Sequence, residues 1–214
     1  MQIVLYYAPI ACSLVPYVTL TEAGAKFEVR PLSLAKQQQL SPEYLKINPK
    51  HKVPLLVVDG QTLTENVAIQ TWVHRTFPKA RLLPSDSWQE LQAISLMAWC
   101  SSGLHPFLTR HNNPSKVCNV PDSELSVRSH ATESLLDALK YGAERLAGRE
   151  YFFDHFTAPD VHFFWVMRRA QQFEIELTSV PNCLAHFERM KSRPSIQKVL
   201  AYEKDVQAQF AKAA

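Results

Sequence analysis

The stretch QIVLYYAPIACSLVPYVTL, residues 2–20, holds two structural periods side by side. QIVLYY (2–7) is β-branched and aromatic, which favours a strand. Residues 13–23 place Leu14, Val15, Val18 and Ala23 at apolar positions with Gly24 just beyond, which predicts a helix and its stop. Cys12 falls at the junction of the two. A secretory leader is the competing reading, but leaders open with a positively charged segment. The first basic residue here is Lys26, and Pro9 and Pro16 interrupt the apolar run. The stretch reads as folded sequence.

FEVRP (27–31) predicts a second strand. After a polar region, PLLVVDGQTLT (54–64) contains two short strands around Asp59-Gly60, a strong hairpin signal. ENVAIQTWVHRTF (65–77) puts Ile69, Trp72, Val73 and Phe77 on one helical face. These elements predict a small mixed sheet with helices packed on it. PKARLLPSDS (78–87) reads as a linker, and the remainder reads as helical. Residues 88–111 form one segment with Leu91, Ile94 and Ala98 on a face, and 122–147 another with Ala131, Leu135, Leu139 and Leu146, closing at Gly148. A third, 157–173, opens with Thr157-Ala158-Pro159-Asp160, in which Thr157 and Asp160 can cap each other's backbone N–H. Shorter helices follow near 182–192 and 194–204. The expected organisation is an α/β domain over 1–79, a linker over 80–87 and an all-helical domain over 88–214.

The 214 residues suffice for one large domain or two small ones. With 46% hydrophobic and 20% charged residues the composition is that of a globular protein. A balance of 23 basic against 20 acidic residues leaves +3, too small and too dispersed to argue for nucleic acid or membrane partners. No apolar run approaches the ~18–20 residues that cross a bilayer. Cys12, Cys100, Cys118 and Cys183 show neither Cys-x-x-Cys nor metal-ligand spacing, so no metal is expected. Four scattered thiols suit a reducing compartment, with the cytoplasm as default.

Five segments together carry a family likeness: Tyr7-Ala8-Pro9-Ile10-Ala11-Cys12-Ser13-Leu14, Asn48-Pro49-Lys50-His51-Lys52-Val53-Pro54, Leu63-Thr64-Glu65-Asn66-Val67-Ala68-Ile69, Leu104-His105 and Phe156-Thr157-Ala158-Pro159-Asp160. In these the chain resembles glutathione transferases, most closely the bacterial beta class. The resemblance implies a thioredoxin-like N-terminal domain (β-α-β-α-β-β-α) followed by an all-α domain. It also implies a homodimer, a detoxifying role, and glutathione as co-substrate with no further cofactor. The second substrate is then an electrophilic, hydrophobic small molecule. Apolar side chains on 65–77 and 88–111 that lack obvious partners agree with a homodimer.

The residues support this likeness to different degrees. At a helix start, Cys12 would face free N–H groups that favour thiolate, making it the most reactive of the four thiols; a lone cysteine is otherwise a small buried hydrophobe. By resemblance Cys12 contacts the thiol of glutathione. A cis Val53-Pro54 bond would expose the Val53 N–H and C=O for pairing with an extended peptide such as glutathione, although an ordinary loop proline is the plainer reading. Glu65 and Asn66 open a helix; Glu65 can hold the γ-glutamyl ammonium and the helix terminus its carboxylate, while Thr64-Glu65-Asn66 is also plain capping chemistry. Lys36 and Lys52 are candidates for the glycine-end carboxylate or solvated lysines. By resemblance His105 faces the thiol and moves a proton or donates to it; a lone helical histidine is more often structural. Tyr7, Leu104, Phe107, Leu108 and Phe164 are candidates to line the substrate pocket, with Tyr7 also near glutathione, or are plain core.

Several positions depart from the family pattern: Pro106 where lysine is usual, Ala98 for a ligand-facing asparagine, His51 for glycine after Asn-Pro-Lys, Phe153-Asp154-His155 for a glycine-rich approach, and Pro159 for alanine. Ala98 and Pro106 motivate a rival reading, a non-catalytic binding or regulatory protein on the same fold, against which stand Cys12, Pro54, Glu65 and His105. Thiol–disulfide chemistry through Cys12 is a variant within the enzyme reading.

Overall fold

A computed structural model describes residues 1–212. The chain divides into two compact units, one of residues 1–85 joined by the described residues from Ser192 onward, the other Asp86–Lys191. Among the described residues no helix is long and apolar enough to cross a membrane.

In the first unit, β1 (Ile3–Tyr7), α1 (Leu14–Glu22), β2 (Glu28–Pro31), α2 (Pro42–Ile47), β3 (Leu55–Val58), β4 (Gln61–Thr64) and α3 (Asn66–Thr76) follow in order. The sheet runs β2-β1-β3-β4, with β1 and β2 parallel and the other pairs antiparallel. This is the thioredoxin-like arrangement the sequence predicts. The hairpin turns at Asp59 (φ 46°) and Gly60 (φ 85°), both left-handed as the tight turn between twisted strands requires. Helix α1 ends at Gly24 (φ 64°), where the Ala25 N–H reaches the Leu20 carbonyl at 3.0 Å and the Gly24 N–H that of Thr21 at 3.0 Å, a Schellman closure. Pro16 is tolerated because the first turn has no internal acceptors for its N–H groups.

The sequence reading placed residues from 194 on in the helical domain. Instead α9 (Pro194–Lys212) packs on α1, within the first unit. Tyr202 stacks on Tyr17 with ring centroids 5.3 Å apart, and Glu22 receives the Arg193 guanidinium at 3.0 Å and the Ser195 hydroxyl. The stripe Ile196, Val199, Val206 on α9 is buried, which is what extends the helix well past 204. The segment read as a linker is also not a loose tether: Pro78–Ala80 forms a 3₁₀ turn and Leu82 and Leu83 are buried.

The second unit contains α4 (Ser87–Ala98), α5 (His105–Asn112), α6 (Glu124–Arg145), α7 (Ala158–Gln172) and α8 (Pro181–Lys191). The single helix predicted over 88–111 is broken by a π-helical segment, Trp99–Leu104. Pro106 supplies the reason: it offers no N–H to the preceding turn and its ring crowds the carbonyl four residues back, so the ladder widens there. The α4 face is also rotated from expectation. Ala93, Leu96 and Met97 are buried, whereas Leu91 is 56% exposed and Trp88 68% exposed. Helix α7 is buried from Ala158 to Met167 without interruption, as a central helix must be. Its N-terminus carries the expected capping box between Thr157 and Asp160.

Candidate functional site around Cys12

Three backbone segments of the first unit converge on Cys12. Its own loop, residues 8–13, is closed by Ser13, whose hydroxyl accepts from the Ala8 N–H at 3.0 Å and donates to the Ala8 carbonyl at 3.1 Å. The second segment is the turn after α2. The buried Asn48 amide donates to the Lys52 carbonyl at 2.7 Å, and Tyr44 Oη donates to the same oxygen at 2.6 Å. His51 takes the left-handed conformation there (φ 47°), one that histidine adopts more readily than most residues, so the glycine expected at this position is dispensable. The closed turn presents Val53-Pro54, which is cis. The third segment is the start of α3, where Asn66 Nδ2 donates to the Cys12 carbonyl at 3.2 Å.

The Cys12 thiol donates to the Val53 carbonyl, Sγ to O at 3.6 Å. The residue is partly exposed, yet the sulfur itself is hemmed in, and this desolvation pushes the thiol up to about 12. Its own N–H, the Asn66 amide and Lys52 act in the opposite direction without overcoming burial, and Glu65 adds to the rise. The thiolate expected from a helix terminus is therefore corrected. Cys12 sits one residue before the Ser13 cap of α1 as a protonated donor, because desolvation of the anion outweighs the nearby N–H groups. The perturbed thiol with a lowered pKa is Cys118, where Ser123 and the Val120 backbone hydrogen-bond the sulfur.

The geometry brings Cys12, Lys52, Val53, Pro54, Glu65 and Asn66 together. Glu65 stands at the cap position of α3 in a left-handed conformation (φ 70°) and makes no side-chain cap. Its carboxylate pairs with Lys50 at 2.7 Å, and Lys50 also donates to Thr64 Oγ1 at 2.9 Å. Thr64 thus serves Lys50, where the sequence suggested a helix cap. Asn66 is buried, and its Oδ1 has no hydrogen-bond partner among the described residues. Lys36 lies on the exposed turn after β2, with its backbone N–H on Ser33 Oγ at 3.3 Å.

Tyr7 is not a ligand-facing residue. It is fully buried, and its hydroxyl donates to Glu203 Oε2 on α9 at 2.9 Å. A strand residue with this burial pattern faces the core regardless of its place in the motif. Leu104, Leu108 and Phe164 are likewise buried, packed among their neighbours in the second unit rather than lining an open surface, while Phe107 is half-buried under the Arg110 guanidinium. His105 opens α5 directly after the π segment, its ring edge-on to Trp165 at 4.5 Å.

Sequence reasoning missed Lys50 as the partner of Glu65, Asn48 as the clasp of the turn, and Glu203. The last was detectable: a carboxylate in register with Ile196, Val199 and Val206 on one apolar helical face demands a buried partner.

Residues 1–75 match the family of the glutathione S-transferase N-terminal domain. Glutathione S-transferase GstA of Escherichia coli O157:H7 is 30% identical over 203 residues, covering 93% of this chain and 98% of that protein. A maleylacetoacetate isomerase of Rattus norvegicus is 28% identical, covering 87% of this chain and 86% of its own length. Among solved structures, a ternary complex of BphK, a bacterial glutathione transferase, is similar with a TM-score of 0.85 and 31% identity, covering 94% and 99% of the two chains. A sphingomonad glutathione S-transferase complexed with glutathione has a TM-score of 0.82 and 28% identity, covering 94% and 98%. The chain belongs to the glutathione S-transferase family.

Proposed function

We propose that the protein is a beta-like glutathione transferase that conjugates the thiol of glutathione to an electrophilic, apolar small molecule. The observation that carries this reading is the Cys12 thiol held on the Val53 carbonyl beside cis Pro54, with the α3 terminus next to both. An extended peptide pairing with Val53 would compete for that carbonyl and release the S–H. The freed S–H then donates to the glutathione sulfur and stabilises its thiolate, which attacks the electrophile. A neutral donor suits this role better than a second thiolate, which would repel the first.

In this reading Glu65 takes the γ-glutamyl ammonium, exchanging it for Lys50, and Asn66 with the α3 N–H groups takes the adjoining carboxylate. Lys52 and Lys36 are the candidates for the glycine end. His105 is assigned to the proton balance at the thiol. Glutathione is a co-substrate; no nucleic-acid or membrane partner is invoked. Four free thiols fit the cytoplasm, and the exposed Trp88 and Leu91 on α4 fit a homodimer.

Glutathione titration calorimetry combined with turnover of chlorodinitrobenzene tests the proposal. Binding with turnover supports conjugation. Binding without turnover favours the regulatory reading, and the absence of binding removes glutathione from the function.

A further inference from the structure

The loop that carries Cys12 contains a strained residue. Ile10 has φ 70°, a left-handed conformation that a β-branched side chain adopts at a steric cost. Glycine would meet no such penalty. The isoleucine is nonetheless held there, and its N–H points at a carboxylate from the far end of the chain: Glu203 Oε2 accepts it at 2.6 Å. The same oxygen accepts from Tyr7 Oη at 2.9 Å. Glu203 is only 2% exposed, and it reaches the loop from α9, which Tyr202 and Arg193 fix on α1. Two donors on one oxygen tie the end of β1 and the apex of the loop to a single rigid point. Cys12 lies two residues further on.

We propose that Glu203 is a positioning residue for Cys12: its carboxylate holds Ile10 in the left-handed conformation, and this keeps the thiol against the Val53 carbonyl. A short loop of L-residues has many conformations of similar energy, most of them with Ile10 at negative φ. A buried carboxylate that gains the Ile10 N–H beside the Tyr7 hydroxyl only when Ile10 turns towards it favours that one conformation, because a charge-assisted hydrogen bond made out of water is strong. The site on the first eighty residues is thus completed by a side chain from the last helix. The functional weight of this device rests on the reading of the Cys12 loop as the glutathione site; the device itself does not.

The test follows iodoacetamide labelling of all four cysteines by peptide mass in the natural protein, in Glu203→Gln, and in Glu203→Gln combined with Ile10→Gly. Glutamine keeps the volume but removes the charge, so the one oxygen that remains is a weaker acceptor for the Ile10 N–H and the Tyr7 hydroxyl. The expected result is that Glu203→Gln labels Cys12 faster by roughly threefold or more as the thiol leaves its carbonyl, while Cys100 and Cys183 stay protected. Ile10→Gly, which reaches the same φ without the steric penalty, should return Cys12 labelling part of the way towards the natural rate. Unchanged labelling of Cys12 in Glu203→Gln, a parallel rise at Cys100 and Cys183, or no rescue by glycine would each overturn the proposal. Should Glu203→Gln not fold, Ile10→Gly and Ile10→Ala decide: glycine should melt at the higher temperature, against its usual order, and the reverse overturns the strain argument. Glutathione titration of the natural protein is run alongside. Its failure rejects the site reading alone, because labelling does not require glutathione.

Discussion

The Glu65 carboxylate and the Lys50 ammonium stand 2.7 Å apart, with 67% and 55% of their side-chain surfaces open to solvent. An ion pair this exposed adds little to folding, within about 1 kcal/mol. In the proposed function this pair at the start of α3 gives up Lys50 so that Glu65 can take the γ-glutamyl ammonium. Glu65→Ala should lower glutathione affinity about tenfold or more, the weight of one charge-assisted hydrogen bond, and barely move the melting temperature. Calorimetric titration beside thermal melting measures both. Equal affinity in natural and variant protein removes Glu65 from the site.

Under limiting alkylating reagent in the absence of glutathione, Cys118 should label first. Its thiol is lowered by hydrogen bonds from Ser123 and Val120, whereas burial pushes Cys12 up to about 12. Labelling of Cys12 should keep rising from about pH 7 to about pH 10 without levelling, since its thiolate fraction is still growing there. Peptide mapping against pH checks the order, and first labelling of Cys12 at neutral pH contradicts it.

Asp160 holds more than a helix cap. Its buried carboxylate accepts from the Thr157 N–H and hydroxyl, both at 2.8 Å, from the Phe152 N–H at 3.0 Å and from His186 Nε2 at 2.9 Å. Asp160→Ala should destabilise the fold by about 3–5 kcal/mol, because it strands several buried donors at once. Thr157→Ala should lose only about 1 kcal/mol. Denaturant melts of the two variants test the ranking, and similar losses would reduce Asp160 to a simple cap.

His162 is fully buried, neither ring nitrogen has a hydrogen-bond partner among the described residues, and desolvation, reinforced by His105, lowers it from 6.5 to about 3. The unfolded chain therefore binds this proton at a higher pH than the folded protein does. Stability is lost as pH falls below about 6.5, by up to about 1.4 kcal/mol per unit. His162→Phe should flatten that decline and raise the melting temperature at pH 5 more than at pH 8. A variant whose acid sensitivity matches the natural protein would assign the decline to other groups.

The chain should be a dimer of 24.4 kDa subunits. Light scattering at micromolar concentration checks this, and Leu91→Glu should shift the population towards monomer if the exposed face of α4 is the contact. A monomer in the natural protein ends the proposal.

What the sequence determined is local. The strand-to-helix switch at Cys12, the Asp59-Gly60 hairpin, the α7 capping box and the order of elements are each written within a few residues, since turn chemistry, capping and periodicity act over one or two turns. Even the replacement of glycine by His51 is explained by one backbone angle. Tertiary structure decided whatever depends on what lies across space. Tyr7 sits in the motif but bonds Glu203, 196 residues away. Leu91 fits the apolar period but faces outward, because α4 buries the opposite face through Ala93, Leu96 and Met97. Cys12 stands where a helix terminus favours thiolate, yet its protonation follows from how many neighbours exclude water from the sulfur. Desolvation and long-range pairing have no period in the sequence, so only the folded chain decides the state of the Cys12 thiol and the partner of Tyr7.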